Sequence, residues 1–241
     1  MSTGPAARVP TTVDEVAAGL RSARTATFER AVAAAVGLGA EGDRVLAELD
    51  DLRGWRAVTV TAALGDVDGP HGGQVLRRRV AARGPGTSDV RWAALLALTK
   101  RREDGVDTVL ADALDDPDRV VREYALIGLA AVGDDRCWDD VLRRLSATLS
   151  RTRTTVRGDD LSPVITALAY LLRHAHDDRA RVEVVAGLLR RRLDRLDEGE
   201  RQWLDAHWPA VTSGAASALP DTTAMHESVL RDPLLSRAGA R

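Results

Sequence analysis

His174 and His176 stand two residues apart with Asp177 beside them, and imidazole and carboxylate are donors that first-row metals accept. On a helix, residues two apart point in different directions, whereas an imidazole at a helix C-terminus complements the negative end of the dipole. A solvated helix end is therefore the expected role, and no metal is expected there. Cys137 is the single cysteine, so it has no disulfide partner within the chain. Next to Trp138 and with no ligand close in sequence, it reads as a small buried hydrophobe rather than a nucleophile. Trp138 with Asp139 and Asp140 combines an aromatic face with carboxylates, the groups that base-excising chemistry places around an extruded base. The sequence has no Gly-rich phosphate loop, nucleophile elbow or paired metal-ligand motif; the glycines of "GDVDGPHGG" (65–73) read as turn formers. No catalytic residue and no cofactor are expected.

Charge is segregated along the chain. Between 77 and 102 the basic residues Arg77, Arg78, Arg79, Arg83, Arg91, Lys100, Arg101 and Arg102 face one acid, Asp89. From 103 to 140 the balance reverses, with Glu103, Asp104, Asp107, Asp115, Asp116, Asp118 and further acids against Arg119, Arg122 and Arg136. Basic character returns at Arg143, Arg144 and Arg190–Arg192. Two uses are open: bands that orient a partner protein of complementary charge, or a solvated surface whose neighbouring elements pair their own charges. On the first use the candidate contacts are Arg77, Arg78, Arg79, Arg101, Arg102, Asp104, Asp107, Arg143 and Arg144. The net charge of −2 supplies no general attraction to phosphate backbones or anionic lipid.

The elements that carry these residues are helices. Hydrophobic residues make up 44% of the 241, aromatics only 3%, which suits closely spaced Ala/Leu/Val helices better than a sheet. The segment 88–114 aligns under 119–145, placing Val90-Arg91 on Val121-Arg122, and each reads as helix, short polar turn, helix. Asp118 opens the second unit as an N-cap, and Thr87 stands at the equivalent place in the first. Within 119–132 one stripe runs Val121, Ala125, Leu129, Val132 and another Val120, Tyr124, Ile127, Ala131, so this helix must be covered on several sides. Stacked helical hairpins provide that cover. Weaker helical units are read at 26–39 with 43–52, at 54–64 with 72–82, and, after a polar insertion at 149–162, at 163–175 with 179–196. The segment "EGERQWLDAHW" (198–208) reads as a cap.

The run "DDPDRVVREYALIGLAAVGDD" followed by "CWDDVLRRL" resembles the short HEAT-like repeat first associated with phycobilisome lyases, closely over 115–145 and fairly over 87–114. The resemblance implies that Asp118, Arg91 and Arg122 tie neighbouring units together. Lyase activity does not follow, because that repeat type is shared by many proteins without it. The HEAT-like alkylbase DNA glycosylases offer an alternative in which the arginine clusters track phosphates. Their spaced Trp and Asp pattern has no convincing counterpart here, and the acidic middle would repel DNA. HEAT-type iron hydroxylases need several His-Glu dyads, whereas the chain has His226-Glu227 alone.

The expectation is thus an all-α, right-handed α-solenoid of about six hairpins (HEAT-like, ARM-type) over 12–208, between a flexible start (1–11) and a flexible tail (209–241). In the tail Met225, Val229 and Leu230 share one face of a short amphipathic helix, for which three readings are open: docking back on the stack, docking on a partner, or a frayed terminus. The expected function is a non-enzymatic scaffold that binds another protein, with nucleic acid as the lesser alternative and no membrane. The N-terminus lacks the basic start and apolar stretch of a signal peptide, so the cytoplasm is the expected location.

Overall fold

The computed structural model describes residues 9–151, 162–175, 178–213 and 222–231. Residues 152–161 of the polar insertion, His176, Asp177, Leu234-Leu235 and the side chains of Met225 and Val229 lie outside them. The chain is all-α, an α-solenoid repeat fold with no strand among the described residues, and none of its described helices is long and apolar enough to cross a membrane. It divides into two compact units, Met1–Glu103 with Pro233–Arg241, and Asp104–Asp232. The division falls inside the segment 88–114, between the two helices that the sequence alignment treats as one hairpin.

The first unit holds α1 (Val13–Leu20), α2 (Thr25–Gly37), α3 (Ala40–Ala47), α4 (Gly54–Ala63), α5 (Gly72–Ala81) and α6 (Ser88–Arg101). The ladder α2, α4, α6 forms one layer and α1, α3, α5 the other, with α1 on α2 and α5 on α6 as the broadest contacts between layers. Close approach is built into the sequence at Gly42 of α3, where a Cβ would lie 1.8 Å from the Ala35 carbonyl oxygen of α2. Gly19 of α1 makes the same allowance for α2, since a Cβ there would lie 2.6 Å from the Ala31 methyl.

The second unit holds α7 (Val106–Ala113), α8 (Arg119–Val132), α9 (Trp138–Leu149), α10 (Pro163–Arg173), α11 (Arg179–Arg190), α12 (Glu198–Ser213) and α13 (Thr222–Arg231). Capping sets the starts: Asp118 accepts from the Val120 N–H at 2.8 Å, and Ser162 accepts from the Val164 N–H with Pro163 in the first turn. Thr87 does not cap α6; its hydroxyl donates to the Gly84 carbonyl at 2.9 Å instead. Helix α12 continues through Pro209 to Ser213, beyond the end expected at 208. One turn with a missing donor is tolerated when the rest of the ladder holds.

Helix α8 explains the doubled apolar stripes. It packs on α7, on α10 and on α13, which together cover three of its sides. The pairing differs from the expected hairpin: α8 leans on the helix before it, and α9 packs chiefly on α10. Val121, Ala125 and Leu129 are fully buried, and the second stripe is buried at Ile127 and Ala131 but opens at Val120, 41% exposed.

Candidate functional site

Much of the segregated charge is paired between alternate helices. Arg78 of α5 reaches Asp50, just after α3, at 3.1 Å, and Arg143 of α9 reaches Asp115, just after α7, at 2.7 Å; both pairs span 28 residues. Lys100 meets Asp66 at 2.8 Å and Arg136 meets Asp107 at 2.9 Å. The basic and acidic bands of the sequence are thus offset copies of one pairing pattern. The Arg78–Asp50 and Arg143–Asp115 pairs, exposed at both ends, contribute about 0–1 kcal/mol each and remain exchangeable for a partner's charges.

Three of the candidate contacts are committed inside the fold. Arg79 is buried, donating to the Thr61 hydroxyl at 2.7 Å and the Leu49 carbonyl at 2.8 Å; burial pushes its pKa down while Asp50 pulls it up. Arg101, with its side chain 5% exposed, donates to Asp43 at 3.1 Å, to the carbonyls of Leu64 and Val67 at 2.9 and 2.6 Å, to the Gly69 carbonyl, and to Glu103. Asp43 in turn accepts from the N–H groups of His71 at 2.8 Å and Gly72 at 3.0 Å. A Cβ on Gly69 or Gly72 would lie 2.4 Å from that carboxylate, so these glycines are spaces for Asp43. Asp107 is buried under Arg136. Arg77 lies 3.8 Å from Glu103, Arg102 and Asp104 are exposed at the end of α6, and Arg102 carries a left-handed backbone with φ of 50°. Arg144 is half-buried, its pKa lowered by burial and then by Arg122 and Arg151.

The arginines of the repeat motif bind carbonyls. Arg91 donates to Val80 at 3.2 Å, Arg122 to Asp116 and Pro117 at 2.6 and 2.9 Å, and Arg56 to Ser22 and Ala23 at 2.8 and 2.9 Å. Each fastens the start of a helix to the chain that precedes it or to the loop one repeat earlier. Val80 is in the last turn of α5, where helix ends leave carbonyls unpaired, and the other four carbonyls belong to the loops that lead into α2 and α8.

Cys137 has company that its sequence neighbours do not reveal. Asp107 and Asp134 bring carboxylate oxygens to within 4.8 Å of its sulfur and of each other, and Arg136 binds both carboxylates, so a cation already bridges the group. Burial first, and then the acids around it, pushes the thiol up to about 11. At pH 7.5 its alkylation by iodoacetamide is expected to run about 100-fold slower than that of an ordinary thiol, in proportion to the lost thiolate. A rate within a few-fold of free cysteine, followed by mass spectrometry, would contradict that environment.

Trp138 is buried, with its Nε1–H donating to the Leu171 carbonyl at 3.0 Å and Arg181 4.9 Å over its ring. Its face is spent inside the second unit, so the aromatic platform expected beside Asp139 and Asp140 is not open to a base. Tyr170 donates to the Asp134 carbonyl, tying α10 to the loop after α8.

The group that composition alone does not signal is on α13. His226 is 0% exposed, and neither ring nitrogen finds a hydrogen-bond partner among the described residues. Leu230, one turn on, is buried on the same face, while Glu227 turns to Arg231. Burial, and then the charge of Arg173, holds the imidazole down to about 4. A buried imidazole without a partner costs roughly 1–3 kcal/mol. The seat that carries it is the third side of α8.

No family model matches the chain, and no curated protein does. Among solved structures, the designed armadillo repeat protein YIII(Dq)4CqI aligns with a TM-score of 0.47 and 15% identity, over 86% of this chain and 100% of that one.

Proposed function

We propose that the chain is a non-enzymatic scaffold that docks a helix of another protein on the third side of α8, with HEAT-like repeats as the frame. The observation that carries this reading is α13 itself. It packs on α8, and two of its residues on one face, His226 and Leu230, lie one turn apart and are buried. A surface that seats one amphipathic helix has the geometry to seat another with apolar residues at i and i+4. Of the candidate charges, Asp104, Arg143 and the half-buried Arg144 lie on the unit that holds α8 and would orient the partner. Arg79, Arg101 and Asp107 drop out of this set because they are bound within the fold. Electrostatic contacts of this kind act on encounter rate and register more than on affinity.

The test uses the full chain with Glu227→Pro, which breaks α13 in its interior and vacates the seat. A fluorescent peptide of residues 222–231 should bind this variant saturably and bind the wild type at least about tenfold more weakly, because the wild-type seat is taken. Equal, unsaturable signals from both proteins would overturn the docking reading.

A further inference from the structure

We propose that α13 is a displaceable occupant of the α8 seat, and that protonation of His226 releases it, opening the seat to a partner helix under mildly acidic conditions. The proposal rests on the docking reading above and adds its regulation. It stands on three facts of position. α13 packs on α8, the helix it contacts most broadly. His226 is the fully buried residue of that seat, and both its nitrogens are without a hydrogen-bond partner among the described residues. Arg173 of α10, which reaches toward the Leu129 carbonyl of α8 at 3.4 Å, is the charged group whose field acts on the ring.

An imidazole in this setting has nothing to accept its second proton, and a guanidinium nearby repels the imidazolium. Charging it therefore requires either a buried, unpaired cation or departure of the helix, and departure restores water to the ring. The other ionisable residues of α8 (Arg119, Arg122, Glu123 and Tyr124) are confined to its first turns, and on α13 Glu227 pairs with Arg231. No described carboxylate is recorded as stabilising the charged ring.

The sign follows from the two states. Released, the imidazole titrates near its ordinary value of about 6.5; seated, it titrates at about 4. Seating is therefore at full strength above pH 6.5 and is lost progressively as pH falls toward 4. Between pH 7.5 and pH 5 the ratio of seated to released α13 should drop about 30-fold, the ratio of the two protonation factors at those pKa values. His174, next to Arg173 and held below the ordinary histidine value by burial, is a second imidazole that acid can charge, so the test must isolate His226.

Hydrogen exchange on the full chain, corrected for the intrinsic pH dependence of exchange, reads the seat directly. In the wild type the amides of α13 should lose about 30-fold in protection between pH 7.5 and pH 5. His226→Leu, which keeps the apolar contact and cannot charge, should hold its protection at both values, with its thermal midpoint at pH 7.5 showing that the fold is intact. Protection in the wild type that is unchanged at pH 5, or lost equally in His226→Leu, would overturn the proposal. A labelled peptide of residues 222–231 carrying His226→Leu separates the two readings. Capture by the wild type at pH 5 and not at pH 7.5 supports both. Release of α13 without capture of the peptide supports the switch and overturns α8 as a docking seat.

Discussion

Asp43→Ala is expected to lower the stability of the protein by about 3–5 kcal/mol, the cost of stranding a buried cation. Arg101 would keep its carbonyl partners and Glu103 but lose its one buried counter-charge, and the N–H groups of His71 and Gly72 would lose their acceptor at the start of α5. The loss is structural as well as electrostatic, because Asp43 holds α3, the 65–71 loop, α5 and α6 to one point. Asp43→Asn is the informative companion: it keeps an acceptor oxygen for the backbone and removes only the charge, so it should recover part of the loss. Urea denaturation of the three proteins checks the order wild type, Asn, Ala. A change below about 1 kcal/mol for Asp43→Ala would show the site to be hydrated and the pair to be of the weak, exposed kind.

Adjacent arginines should behave as opposites. Arg79→Glu should cost several kcal/mol, on the order of 3–5, since it places a carboxylate against the Leu49 carbonyl and leaves the Thr61 hydroxyl without its donor. Arg78→Glu should cost about 1 kcal/mol or less, because the Arg78–Asp50 pair is half-exposed at both ends. Reversing Arg77, Arg78 and Arg79 together would therefore confound partner binding with unfolding. Thermal denaturation of the two single variants settles the assignment: similar shifts would place both side chains in the same environment.

These two residues show how far the sequence could be read. The helical pattern, the Asp118 cap and the multiply covered α8 follow from local spacing, which a periodicity of 3.6 makes visible. The run Arg77–Arg79 did not reveal that its third member turns inward, because facing depends on where α5 meets α3 and α4 by a degree of rotation that spacing leaves free. Asp43 was hidden for a different reason. Its partners lie 28 to 58 residues away, and it reads as one more solvated acid in "AEGDRVLAELDD". The available signal was indirect: glycines at 69, 72 and 73 ask what comes close to the backbone there, and the answers are the carboxylates of Asp43 and Glu103. The charge bands carried the same ambiguity, since a band that pairs with its neighbour and a band that waits for a partner have identical composition. Cys137 drew its acids from α7 and from the loop after α8, positions that only packing brings together.

The proposed docking seat requires that α13 pack on α8 in the wild-type protein. The imidazole of His226 reports on it in the wild-type protein. Followed by NMR over pH 3–8, its ring protons should show contacts to methyl groups of α8 and titrate well below the ordinary histidine value of about 6.5, toward about 4. A midpoint near 6.5 with no contact to α8 would mean that the helix does not occupy the seat, and would contradict the account.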